Sequence, residues 1–278
     1  EVKEEIAISR SCVYFGISRS GYYASCKRTT KTVLEERAVL DLVHEVRHTM
    51  PRIGGKKLYD VLKKDLHSIG KIGRDKLFDI LRKNNLLVKR RKSYTRTTDS
   101  YHRFYKYKNL LYDKTLTRPN ECYVSDITYL RTDVGFVYLF LITDAYSRKI
   151  VGWNLSHSLA IEGGLKALRM ALRQRRTRAA LIHHSDRGIQ YCCKAYVKEL
   201  NKHKVSISMT EENHCYENAL AERVNGILKD EFLLDSTFKD YNQALRAVKQ
   251  AIITYNQLRP HWSLNLKTPD EVHLEKAA

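Results

Sequence analysis

Residues 123–131, Tyr-Val-Ser-Asp-Ile-Thr-Tyr-Leu-Arg, and residues 136–143, Phe-Val-Tyr-Leu-Phe-Leu-Ile-Thr, decide the fold class. The first run alternates, so Val124, Asp126, Thr128 and Leu130 share one face of an extended strand. The second is almost continuously apolar, the pattern of a strand covered on both faces. After a turn at Asp144 to Arg148, residues 149–155 read as a third strand. Further along, Leu165, Leu168, Met170, Ala171 and Leu172 mark a helix and residues 179–184 a fourth strand. Residues 195–201 form part of another helix, residues 205–208 a short strand, and a long helix runs from about Tyr216 to Leu234. Three consecutive strands followed by alternating helices and strands predict an α/β sheet with helices on its faces, over residues 119–235. A C-terminal helix and tail, residues 236–278, follow.

Upstream the period changes. Leu34, Ala38, Leu42, Val43 and Val46 recur at helical spacing, as do Leu58, Val61, Leu62 and Leu66; after Gly70 and Gly73, residues Leu77, Phe78, Ile80, Leu81 and Leu87 mark a third helical segment. Three short helices with a glycine-containing turn before the last suit a helix-turn-helix domain over residues 31–88, behind a partial helical segment, residues 1–30. Arg74, Lys76 and Lys83 then fall on or near the exposed side of the final helix, where they are candidate DNA contacts. A plain three-helix bundle with a solvated basic face fits the same period equally well. Residues 89–118 lose the apolar period. Lys89, Arg90, Arg91 and Lys92 open a stretch in which cations alternate with Tyr94, Tyr101, Phe104, Tyr105 and Tyr107. Such a mixture either tracks a phosphate backbone, with rings against bases and sugars, or is a solvated linker.

Charge placement favours a polyanionic partner. The chain of 278 residues carries a net +19; residues 1–118 hold 28 Lys and Arg against 13 acids, and residues 119–278 hold 22 against 18, that is +15 against +4. No run approaches the roughly 20 apolar residues of a membrane span, and no secretion signal is evident, so a cytoplasmic location is expected. The six cysteines contain no C-x-x-C pair or zinc-finger spacing and read as reduced structural thiols. His183 and His184 are neighbours on a strand and point to opposite faces, which argues for packing and local hydrogen bonding over shared metal ligation.

Three acids stand out. Asp126 lies within a strand, Asp186 directly after one, and Glu222 on the long helix, where Leu220, Val224, Ile227 and Leu228 form the apolar stripe. Asn218, Glu222, Asn225 and Lys229 lie along another face, spaced four, three and four. Open α/β sheets gather ligands at strand ends, so the acids can face one crevice. Gathered carboxylates repel one another unless a cation neutralises them, and Mg²⁺ or Mn²⁺ suits an all-oxygen site. Two such ions about 3.5–4 Å apart activate the attacking oxygen and stabilise the leaving one in phosphodiester chemistry. Each acid also has a structural reading, and Asp144, which follows a strand too, competes for the role.

With 59 residues between Asp126 and Asp186 and 35 between Asp186 and Glu222, the sequence resembles the insertion-sequence-three family of transposases, in particular the catalytic polypeptide from the second reading frame. The surrounding words match as well: Ser125 to Tyr129, His184 to Tyr191 and Glu217 to Arg223. So do Gly16 to Tyr23 near the start, and Tyr255-Asn256, Arg259-Pro260-His261, Ser263-Leu264 and Thr268-Pro269 near the end. Lys229 falls where such enzymes carry a basic residue after the catalytic Glu. Tyr123 stands where many relatives have Trp, and Cys215 where Pro is common. The resemblance implies a ribonuclease-H-like mixed sheet flanked by helices and a D,D(35)E active centre of Asp126, Asp186 and Glu222 binding Mg²⁺ or Mn²⁺. It also implies nicking at an element end and attack of the released 3′-hydroxyl on DNA. Implied partners are element-end and target DNA, further copies of the chain on that DNA, and the first-reading-frame product with its own helix-turn-helix and leucine zipper; the setting is the bacterial nucleoid. A structure-specific nuclease and a catalytically silent DNA-binding regulator are the competing readings.

Overall fold

The computed structural model describes residues 8–89, 103–112, 114–175, 177, 179–211 and 218–275. The chain divides into two compact units, residues 1–48 with 54–88, and residues 49–53 with 89–278.

The first unit is helical. α1 (Ile8–Tyr14) ends at Gly16, whose φ of +66° favours a residue without Cβ, and Ser18 Oγ then accepts the Gly21 amide at 2.9 Å to open α2 (Arg19–Thr49). The glycine and serine of the opening word are therefore a helix corner. α2 runs unbroken through residue 30, where a boundary was expected. α3 (Gly55–Gly70) and α4 (Arg74–Lys83) are joined by three residues, as in the predicted helix-turn-helix pair. The left-handed residue in that turn is Lys71, not a glycine. Gly70 serves closeness instead: a Cβ there would stand 2.9 Å from the Glu35 carboxylate. Val39, Val43, Leu58, Leu62, Leu66, Leu77, Ile80 and Leu81 are buried, whereas Leu34, Val61 and Leu87, counted in the sequence stripes, are exposed.

The second unit is built on one five-stranded sheet in the order β3-β2-β1-β4-β5. β1 (Cys122–Thr132), β2 (Gly135–Asp144) and β3 (Ile150–Ser156) form an antiparallel meander. β4 (Ile182–Ser185) and β5 (Ser206–Met209) continue it parallel to β1, reached through α5 (Ile161–Gln174), α6 (Ile189–Cys192) and α7 (Lys194–Lys202). This is the ribonuclease-H-like mixed sheet implied by the resemblance. α5 lies close on β3, where a Cβ on Gly152 would meet the Ala167 carbonyl at 2.3 Å. Tyr123, Phe140, Ile142, Leu168, Tyr196 and Leu200 belong to the core between sheet and helices. α8 (Ala219–Glu231), α9 (Tyr241–Gln257) and α10 (Pro269–Glu275) complete the unit.

Part of the aromatic linker belongs to this unit. The Met209 amide donates to the Lys108 carbonyl at 3.4 Å, the Leu110 amide donates to Ser208 Oγ at 2.9 Å, and Tyr107 packs on the core. Tyr107 is thus a packing residue, while Tyr105 stays exposed. Arg90, Arg91, Lys92, Tyr94 and Tyr101, like Cys215, lie outside the described residues. Among the described residues no helix is long and apolar enough to cross a membrane, and Cys12, Cys26, Cys122, Cys192 and Cys193 are free thiols.

Candidate active site

The parallel register pairs Ser125 of β1 with Ser185 of β4. Asp126 and Asp186 are the next residues on each chain, so adjacent strands deliver both acids to the same end of the sheet. The pairing is reinforced behind them. Ser125 Oγ and the Tyr196 hydroxyl lie 2.7 and 3.0 Å from Nε2 of His183, and His184 Nδ1 lies 2.8 Å from Ser208 Oγ. Burial and the neighbouring His184 push the His183 imidazole down to about 3, so it is neutral, and both histidines serve buried hydrogen bonding as expected.

Glu222 arrives on α8, and the residues that aim it are amides. Asn218 Nδ2 donates to the Ser125 carbonyl at 3.3 Å, and Asn225 Nδ2 donates to Asp126 Oδ2 at 2.7 Å. Glu222 sits between them on the helix, four residues after one and three before the other, which in helical geometry is the same face. The sequence reading set this face apart from the packing surface. Asn218 and Asn225 are buried against β1, and Glu222 alone of the three is exposed. Asn225 is the site residue whose role the sequence reading missed; its signal was the four-three spacing with Glu222.

Electrostatics ties the acids together. The Asp126 carboxyl is pushed up to about 7, first by burial, then by the charge of Asp186, with a smaller contribution from Glu222; hydrogen bonds from Asn225 and the Ile127 amide, the latter 2.9 Å long, act the other way. Asp186 Oδ1 accepts the Gly188 amide at 3.0 Å, fixing the turn after β4. Lys229, two turns beyond Glu222, is partly buried, which lowers its pKa, while Asp235 and Asp126 oppose that shift. Among the described residues no three His, Cys, Asp or Glu side chains already form a group able to hold a metal ion. The structure thus brings Asp126 and Asp186 together and puts Glu222 within electrostatic reach, but does not close a three-ligand cluster.

Asp144, the competing acid, is fully buried and saturated. Its Oδ1 accepts the Tyr146 and Ser147 amides and Ser147 Oγ at 3.0, 2.7 and 3.0 Å, and its Oδ2 accepts the Asn120 amide at 2.6 Å. It holds the β2–β3 turn. The α4 cations are exposed, but each is paired: Arg74 with Asp75 at 2.9 Å, Lys76 with Glu35 at 3.1 Å and Lys83 with Glu36 at 2.8 Å.

Comparison with known proteins places a class on this geometry. Residues 117–215 and 203–269 match integrase core domain families. A solved structure of the HTLV-2 integrase catalytic core domain in complex with magnesium is similar over 56% of this chain and 97% of that one, at 20% identity and a TM-score of 0.46. The second unit is an integrase core. A 31 kDa protein of insertion element IS600 from Shigella sonnei is 34% identical, covering 93% of this chain and 95% of its own length. Transposase InsF for insertion sequence IS3A from Escherichia coli is 31% identical, covering 92% and 90%. The chain belongs to the insertion-sequence-three family of transposases, enzymes of the DDE polynucleotidyl transferase class.

Proposed function

We propose that this transposase cuts a phosphodiester bond at an element end and joins the freed 3′-hydroxyl to target DNA, with Asp126, Asp186 and Glu222 as the acids of the reaction. The observation that carries the reading is the pinning of α8 on β1: Asn218 and Asn225 bracket Glu222 and bond to residues 125 and 126, and Ser125 is the register partner of Ser185, the residue before Asp186. The all-oxygen donor set suits Mg²⁺ or Mn²⁺, and an Asp126 carboxyl pushed up to about 7 by burial and then by the charge of Asp186 is a place where positive charge is wanted. Exposed Glu222 is the member free to swing inward.

Asp126, Asp186 and Glu222 would hold divalent metal there, which would supply Lewis acidity toward the phosphodiester. The chain's own residues do the rest. Asn225 orients Asp126 through Oδ2, and the Gly188 amide orients Asp186 through Oδ1. Lys229 brings a cation to the same helix face, where it can meet a phosphate near the cut. Residues 1–118 supply most of the sequence-independent DNA affinity through phosphate contacts, for which Arg74, Lys76, Lys83, Lys89, Arg90, Arg91 and Lys92 are the candidates that the sequence offers, and residues 119–278 the chemistry. Element-end recognition and assembly draw on the first-reading-frame product and on further copies of the chain at the nucleoid.

The test is incubation with labelled element ends and Mg²⁺ or Mn²⁺, scored for nicked and joined products. Nicking without joining of a pre-cleaved end identifies a nuclease; binding with neither product identifies a regulator. Glu222→Gln and Asp126→Asn abolish both products and leave DNA binding in place if the acids are assigned correctly.

A further inference from the structure

The basic residues of the first unit divide into two kinds. On α4 every candidate cation sits beside an acid, and hydrogen bonds from Lys83 and Asn84 hold the Glu36 carboxyl below its ordinary value. A phosphate approaching Lys76 or Lys83 would have to displace Glu35 or Glu36 and then lie next to it. Residues 8–34 offer the opposite surface. They carry five cations, Arg10, Arg19, Lys27, Arg28 and Lys31, and no acid. All five are exposed, and Arg19, Lys27 and Arg28 are in no ion pair among the described residues. From residue 19 to residue 34 only Tyr22 of α2 is even partly buried.

Arg19, Tyr23, Lys27 and Lys31 follow one another at intervals of four, one ridge of the helix surface, with Arg28 beside it. Sixteen residues of helix span about 24 Å, and at about 3.4 Å per base pair that is close to seven base pairs. An acid-free helical rod studded with unpaired cations is complementary to a polyanion of that length.

We infer that the N-terminal half of α2, residues 19–34, is a duplex-DNA contact helix in which Arg19, Lys27, Arg28 and Lys31 engage the phosphate backbone, and that this segment rather than α4 is the main phosphate contact of the helical unit. The inference rests on the assignment of DNA affinity to residues 1–118 and locates it. DNA binding then relieves self-repulsion along α2 and, among the described residues, costs no ion pair apart from the 3.9 Å contact of Lys31 with Glu35.

The experiment measures affinity of the full chain for a labelled duplex over a salt series. Three variants are compared with the parent: Arg19, Lys27, Arg28 and Lys31 to Gln; Arg74, Lys76 and Lys83 to Gln; and Lys89, Arg90, Arg91 and Lys92 to Gln. Glutamine keeps helix propensity. At about 0.9 in log-log slope per neutralised phosphate, the α2 variant flattens the salt dependence by up to about 3.6, and the α4 variant changes it by less than one contact's worth. An α2 variant with the parental slope beside a flattened α4 or 89–92 variant overturns the inference and spares the wider reading. If no variant changes affinity or slope, both fail. Amine-reactive footprinting of the unaltered chain checks the result without relying on a variant's fold. DNA shields Lys27 and Lys31 more than Lys76 and Lys83 if α2 is the contact; equal or reversed shielding overturns it. An α2 variant that loses self-association while keeping its DNA affinity makes this face an interface between copies instead, and likewise overturns it.

Discussion

The Asp126 carboxyl gives the site a thermodynamic signature that can be read without turnover. It titrates at about 7 in the folded protein against an ordinary 3.8, with burial and the Asp186 charge as the main causes. The folded state therefore holds the proton more tightly than the unfolded chain. This contribution to stability is fully present below the unfolded value and is lost as pH rises through the folded one, at up to about 1.4 kcal/mol per pH unit. Over the whole shift the loss is about 4 kcal/mol, a ceiling because the carboxyl is only partly buried. Other acids work in the opposite sense: Glu121, opposed by its own burial, and Glu199 are held low by hydrogen bonds, chiefly from Thr117 and Arg169, and stabilise above the ordinary carboxylate range. A difference against Asp126→Asn cancels them. Asparagine offers one acceptor oxygen and an amide group that cannot accept, where the protonated carboxyl keeps two oxygens able to face Asn225 and the Ile127 amide, so the variant starts about 1 kcal/mol less stable at acidic pH. In metal-free urea titrations the parent loses stability relative to the variant from about pH 4 to about pH 7, and the order of stability inverts. Mg²⁺ or Mn²⁺ at the upper end restores the parent and leaves the variant where it was, because an ion that binds only the folded state stabilises it by mass action. A stability difference that stays flat across this range refutes the argument.

Asp144→Ala leaves the Asn120, Tyr146 and Ser147 donors without their acceptor and costs about 3–5 kcal/mol in denaturant unfolding, whereas Glu222→Gln changes stability by less than about 0.5 kcal/mol while ending cleavage. Arg259→Ala strands Glu231, whose two oxygens accept from Nε and Nη2 at 2.7 Å each inside the fold, and destabilises by about 3–5 kcal/mol; Arg259→Met recovers part of that loss. Asn225→Ala lowers kcat with little change in KM for DNA, since it frees the Asp126 carboxylate without touching the phosphate-contacting cations; an equal rise in KM would speak against the positioning role.

The sheet was legible because its strands advertise themselves. Alternation in 123–131 and the apolar run of 136–143 left no helical alternative, and Asp126 falls within the first strand and Asp186 directly after β4. Legibility failed where a polar residue is buried or an apolar one is not. Asn218 and Asn225 looked like a solvent face because the hydrophobic stripe beside them was complete; only tertiary contact shows that their amides bond β1. Leu34 looked like core and is 62% exposed, because the helical stripe it extends runs past the end of what α2 packs against. The α4 cations were drawn correctly on the surface, yet their acid partners Glu35 and Glu36 stand some forty residues earlier, a distance at which periodicity is silent.

The matching words divide the same way once their contacts are known. Tyr255, Asn256, Arg259 and His261 are remote from the acids in sequence. Asn256 uses its amide on both the N–H and the carbonyl of Ile150, as a strand neighbour would, and the Tyr255 hydroxyl donates to the Arg148 carbonyl. Arg259 grips Glu231, the last residue of α8, while His261 Nε2 lies 2.8 Å from its Nη1. Thr268 and Glu271 then bond each other's backbone amides across the start of α10, a capping box with proline at the first helical position. Asn218 and Asn225 hold α8 to β1 on one side of Glu222, and Arg259 holds its far end. The axis of α8 is thus fixed at both ends, and Arg259 from the C-terminal residues supplies the second fixing.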